Sequence, residues 1–208
     1  MKKEELVYKS LYDTYCLFSN VIDDYCSICT RTETIDSIRN QSEQRDCVLR
    51  SSLTGIEINT LPCFKSLLVA KIDMEITKLF IIIQSELDTM DNLFHKLWAA
   101  YSKTGQLLNS CYTENEQLSL NELNNPWFPP ISQLMSNLDK ICLWMGNDLQ
   151  NKRQLLSKCE RNKKFEEHIY DFRKRWRISY KDKILIENAK CVANSFMGNF
   201  KKIMINND

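Results

Sequence analysis

Residues 62–105 read PCFKSLLVAKIDMEITKLFIIIQSELDTMDNLFHKLWAAYSKTG. Within them Phe64, Leu68, Ile72, Ile76, Leu79, Ile83, Leu87, Met90, Phe94, Leu97 and Tyr101 recur at steps of three and four. That spacing lines one face of a single helix and fits no alternating strand. Pro62 suits the entry, where a missing amide hydrogen costs little, and Gly105 falls where a helix C-cap is expected. Some 40 residues at about 1.5 Å each predict a rod roughly 60 Å long. A stripe of that length needs partner helices along its whole course. The aromatics Phe94, Trp98 and Tyr101 on its last turns favour globular packing over a coiled-coil seam.

The composition agrees. The chain has 208 residues, 43% of them hydrophobic and 26% charged, with only four Gly and four Pro. Sheet folds need frequent tight turns, so scarce Gly and Pro favour long helices with few connections. A net charge of +1 supplies no global field toward nucleic acid or membrane. Leu79–Ile83, the most apolar run, is far shorter than the roughly 20 residues that span a bilayer. Met1-Lys2-Lys3-Glu4-Glu5 leads into no apolar core with a small-residue cleavage site, unlike a secretory signal. Nine scattered cysteines then read as reduced thiols of the cytoplasm or nucleus, many of them small core residues.

Working outward, Val7, Leu11, Tyr15, Phe18, Ile22, Tyr25 and Cys29 predict a helix over 3–29. The stretch 30–59 is looser, a connector with one short helix through Ile35, Ile38, Val48 and Leu49. Residues 106–130 form the longest connection and end Asn125-Pro126-Trp127-Phe128-Pro129-Pro130, with Trp127 and Phe128 expected to pack on the bundle. Ile131, Leu134, Leu138, Ile141, Met145, Leu149, Leu155 and Leu156 predict a second long helix to Cys159. After the polar run 160–164, Phe165, Ile169, Phe172 and Trp176 mark a short helix. Ser179-Tyr180-Lys181-Asp182 resembles a capping box opening a last helix through Leu185, Val192, Phe196 and Phe200. The expectation is one all-α domain over 1–208, an antiparallel helical bundle. Its parts are the N-terminal helix and connector (1–60), a very long central helix (61–105), a Pro-containing connection (106–130) and C-terminal helices (131–208).

No constellation points to catalysis. GxxxxGK[ST], GxGxxG and HExxH are absent, and His95 and His168 lack a Cys or Ser nearby in sequence. Cys26 and Cys29 have the spacing of half a zinc site or a redox pair, yet no second close pair completes four ligands, so two core thiols is the simpler reading. The chain is therefore read as a non-enzyme needing no cofactor, no metal and no small-molecule substrate. Charge is more informative. Lys152–Lys183 holds twelve basic residues against five acids, or +7, and Gln84–Glu122 holds six acids against two lysines, or −4. These segments could complement each other within the bundle. Arg173-Lys174-Arg175-Trp176-Arg177 interleaves cations with an aromatic, as RNA-binding surfaces often do. Trp176 also continues the series Phe165, Ile169, Phe172, which reads as a core anchor.

Leu149-Gln150-Asn151-Lys152-Arg153-Gln154-Leu155-Leu156 sits on a long helix after a proline-containing entry. Together with Arg175-Trp176-Arg177-Ile178-Ser179 and the Leu61-Pro62-Cys63-Phe64 entry, it resembles the AFG-type AAA ATPase-interacting ribosome maturation factor family. A weaker resemblance is to the related cyclin-dependent-kinase-interacting protein family. The likeness covers roughly 60–200. It implies a non-catalytic adaptor of an AAA ATPase assembly in large ribosomal subunit maturation, with ATPase subunits and a related helical protein as partners, pre-ribosome contact, and a place in cytoplasm and nucleus. Lys152, Arg153, Arg173, Arg175 and Trp176 are then the expected partner-binding residues. The alternative is an RNA- or ribosome-binding helical module using the basic segment 152–183.

Overall fold

The computed structural model describes residues 3–51, 63–113, 128–161 and 165–205. The chain is all-α, with six helices among the described residues: α1 (Lys3–Thr30), α2 (Glu33–Arg50), α3 (Phe64–Thr113), α4 (Ile131–Arg161), α5 (Phe165–Trp176) and α6 (Tyr180–Ile205). No strand occurs among the described residues. The contacts divide the chain into two compact units. One combines Met1–Ser27, Met90–Leu149 and Ile178–Asp208, and the other combines Ile28–Thr89 and Gln150–Arg177. Helices α1, α3 and α4 each supply residues to both.

In the first unit, Val7, Leu11, Phe18 and Ile22 of α1 are buried with Met90 and Leu97 of α3, Leu134, Leu138 and Ile141 of α4, and Phe196 of α6. The buried polar groups here are matched. The Tyr15 hydroxyl donates to the Leu134 carbonyl at 2.8 Å, and the Tyr25 hydroxyl donates to the Asp148 carboxylate at 2.8 Å. With 15 meeting 134 and 25 meeting 148, α1 and α4 run parallel. Tyr12 stacks on Phe200 at 4.8 Å and Lys190 donates to Asp23 at 2.7 Å, so α1 and α6 run antiparallel. Phe128 packs on Tyr8, Phe196 and Phe200, as expected of the Pro-flanked aromatic pair. Its neighbour Trp127, like Pro126, lies outside the described residues. Pro130 opens α4 by accepting from the Gln133 and Leu134 amides.

Three expectations are corrected. First, α3 does not stop at Gly105 but continues to Thr113, giving 50 residues and about 75 Å. Thr104 explains this. It is fully buried, its hydroxyl donates to the Ala100 carbonyl, and it shares hydrogen bonds with Ser10 and Thr14 of α1, so the backbone is held helical as it enters Gly105. Gly105 keeps a negative φ, and Cys111 is buried a turn and a half further on. The entry proline, Pro62, lies outside the described residues. Second, 30–59 holds α2, an 18-residue helix and not a short one. Third, α6 turns Ile186, Ala189, Ala193 and Phe196 to the core, while Leu185, Val192 and Phe200 are half-buried. A pattern judged on large side chains overlooks alanines that allow close approach. The cap of α6 is present in altered form: the Asp182 amide donates to the Ser179 hydroxyl, which donates in turn to the Asp182 carboxylate.

In the second unit, Ile35 and Ile38 of α2 are buried with Ile83 and Leu87 of α3, Leu155 and Leu156 of α4, and Ile169, Phe172 and Trp176 of α5. Helices α2 and α5 are antiparallel, Asp36 meeting Arg173 and Arg39 meeting Tyr170. The C-terminal carbonyls of α2 are met by Lys65, whose ammonium donates to Leu49 and Ser51 at 2.7 and 3.1 Å.

Candidate interaction surfaces

The five residues expected to form a partner-binding surface all belong to the second unit, and they separate into two kinds. Lys152 and Trp176 are core. Both are 0% exposed, with the Lys152 ammonium 5.8 Å from the centre of the Trp176 ring. The Trp176 indole donates to the Ile28 carbonyl at 3.2 Å, and the ring meets Phe172 edge-on at 5.4 Å. A buried ammonium carries a desolvation cost that an aromatic face partly offsets, because the ring quadrupole is negative over its face. Burial takes these two side chains off the surface; they tie α4 to α5.

Arg153, Arg173 and Arg175 are solvent-accessible, and each already meets a carboxylate. Arg173 lies 2.6 Å from Asp36, Arg175 lies 3.1 Å from Asp171, and Arg153 lies 3.9 Å from Asp88. The last pair joins the basic segment to the acidic one, so part of their opposite charge is spent within the fold. Exposed pairs of this kind contribute about 0–1 kcal/mol each, but they lower the positive field available to a polyanion. Arg161, Lys163 and Lys164 of the same segment have side chains outside the described set.

Four of the nine thiols are core residues. Cys29, Cys111, Cys142 and Cys159 are buried. Burial, with a lesser push from Asp139, raises the Cys142 thiol to about 12. Cys26 is also raised, by burial first, with Lys190 acting against it. Both are poor thiolates at neutral pH. Among the described residues, no three His, Cys, Asp or Glu side chains converge as a metal site would require. No helix among them is long and apolar enough to cross a membrane.

The surface that periodicity alone did not reveal is on α3. Ile83, Leu87 and Met90 are fully buried, but upstream of them Phe64, Leu67, Met74, Ile81 and Ile82 are exposed. Leu67, Met74 and Ile81 are seven residues apart and therefore form one row, with Leu67 and Ile81 each 65% accessible. Three large aliphatic residues on the outward side of a helix are a binding signal more than a packing one. The row was legible as a heptad step offset from the core stripe. Nearby, a groove of about 800 Å³ runs between α2 and α3, lined by Asn40, Gln44, Cys47, Leu68, Lys71 and Glu75 among others. Comparison with protein-family models, with curated proteins and with solved structures found no match.

Proposed function

We propose that this chain is a non-catalytic adaptor that works by presenting helix faces to protein partners. The specific form is the one its family resemblance implies, an adaptor of an AAA ATPase assembly in large ribosomal subunit maturation. The observation that carries the interaction reading is the exposed apolar row Leu67, Met74 and Ile81 on α3. Water-facing aliphatic area of this kind is stabilised when another protein covers it. The ATPase form of the reading rests on the family resemblance. Two of the three stretches that carry it meet where Lys152 faces the Trp176 ring. The ATP chemistry would belong to the partner.

The RNA-binding alternative draws on the basic segment, and it has less support because Arg153, Arg173 and Arg175 are each closed on a carboxylate. The test is a tagged pull-down from the native cell, with and without RNase, using the unaltered chain and a Leu67→Asp/Ile81→Asp variant. Recovery of an AAA ATPase that survives RNase and is lost in the variant is the expected result. Recovery of ribosomal proteins alone, lost with RNase and retained by the variant, would overturn the adaptor reading in favour of RNA binding.

A further inference from the structure

A second surface, in the first unit, carries its own chemistry. Phe94, Trp98 and Tyr101 form an aromatic ladder on α3, with ring centres 6.1 Å apart from Phe94 to Trp98 and 5.6 Å from Trp98 to Tyr101. Helix α4 runs antiparallel beside it. A Cβ on Gly146 would stand 3.5 Å from the Phe94 ring, and the Tyr101 hydroxyl donates to Asp139 at 3.2 Å. Seven residues forward on α3 thus match seven back on α4, which sets Trp98 level with Cys142 and Leu143. Cys142 is buried, but Trp98 is 41% accessible and Leu143 54%. Within the globular packing expected of these aromatics, Trp98 keeps part of its ring at the surface.

Carboxylates stand at both ends of the ladder. Asp139 accepts from Tyr101, whose hydroxyl is raised by burial first and then by Asp139, so it keeps its proton and stays a donor. Asp91 lies 3.6 Å from His95. The lysines of this stretch of α3 face elsewhere: at 100° per residue, Lys96 and Lys103 are about 160° and 140° around the helix from Trp98. Lys140 sits about 100° around α4 from Asp139 but about 60° from Leu143, so one cation borders the surface on that side. An accessible indole with an aliphatic neighbour, flanked by carboxylates, is complementary to one side chain above others. A guanidinium can lie over the ring and pair with a carboxylate while its methylenes cover Leu143. Phosphates would be repelled by the same two acids.

We infer that the Trp98–Leu143–Asp139 surface receives an arginine-bearing segment of a protein partner. This inference stands apart from the ATPase reading, since it rests on neither the α3 row nor the resemblance. It is tested on the full chain by following the Trp98 indole N–H in nitrogen-15 NMR spectra, assigned with Trp98→Phe, during titration with hexa-arginine, hexa-lysine and hexa-glutamate peptides. Hexa-arginine is expected to shift the Trp98 signal saturably, with weaker binding of hexa-lysine and none of hexa-glutamate. Read by titration calorimetry, since the variant lacks the reporter, Trp98→Leu should weaken hexa-arginine binding about fivefold or more, and Asp139→Asn should weaken it while helicity is retained. Leu143→Ser, a change at an exposed position, gives a second reading if Trp98→Leu disturbs the fold. Equal affinity for hexa-lysine, or binding unchanged in both Trp98→Leu and Leu143→Ser, would reduce the effect to bulk charge and overturn the inference. A dimer seen by sedimentation that Trp98→Leu dissociates would also overturn it, by assigning the surface to a second copy. So would a saturable Trp98 shift with oligouridylate.

Discussion

Trp176 does three things at once: it fills core volume beside Phe172, donates to the Ile28 carbonyl and faces the Lys152 ammonium. The three can be separated. Trp176→Ala removes all of them and should cost about 3–5 kcal/mol. Trp176→Phe keeps most of the volume and the ring face but removes one of two donors to the Ile28 carbonyl, which keeps the Arg31 amide at 3.1 Å, an expected loss of about 0.5–1.5 kcal/mol. Urea midpoints at constant slope would measure both, and a Trp176→Phe midpoint equal to that of the unaltered chain would mean that the hydrogen bond contributes nothing. Glu86 gives a second prediction at this scale. Burial raises its carboxyl, Arg31 opposes that and Glu33 adds to it. The folded chain thus holds the Glu86 proton more tightly than the unfolded chain does. The penalty for ionising it is absent below the unfolded value and grows as pH climbs through the higher folded value. Glu86→Gln should therefore match the unaltered chain near about pH 4 and become the more stable of the two toward neutrality. A stability difference that stays constant across that range would show that Glu86 is not the titrating group.

Among the elements, α3 gives the sharpest tests. Gly105 is helical with negative φ, and an added methyl would meet only the flexible end of Met135 at 3.7 Å. Gly105→Ala should therefore stabilise by about 0.5–1 kcal/mol, read as a raised melting temperature. A true C-cap would be destabilised by the same change. Leu87→Ala should cost about 2–5 kcal/mol, whereas Ile81→Ala, six residues earlier and largely exposed, should stay within about 0.5 kcal/mol. The two also show what the sequence could convey. Apolar periodicity reports burial, and it located α1, the Ile83–Leu97 part of α3 and nearly all of α4 because those faces are covered. It understated α2, where the buried residues are only Ile35, Ile38 and Ser42, so a polar helix reads like a connector. It overstated the Phe64–Leu79 part of the stripe, where Ile72 alone is buried. For the expected partner surface, the residue types were informative but their depth was not. A lysine four residues from a buried leucine looks like surface until a tryptophan from another helix is laid over it.

At the scale of the molecule, the two units share α1, α3 and α4. A helix is cooperative along its length, so melting one unit exposes the severed turns of the other. We expect one unfolding transition. Cys111 and Cys142 in the first unit and Cys29 and Cys159 in the second are all buried and serve as site-specific probes. Thiol labelling across a urea series, read by peptide mass, should give all four the same midpoint, while exposed Cys47, Cys63 and Cys191 label at zero urea. Separate midpoints for the two pairs would show that the units are independent despite their common helices.

That interleaving also bears on descent. One unit is drawn from three separated stretches of the chain and the other from two, so no contiguous length of coding sequence specifies either. Recombination, which moves contiguous segments, cannot hand on a single unit intact. A cut in α1, α3 or α4 breaks a helix that both units use. Whatever two tasks these surfaces serve would have been inherited together and would diverge side chain by side chain, without the modular exchange open to proteins whose parts are strung along the chain.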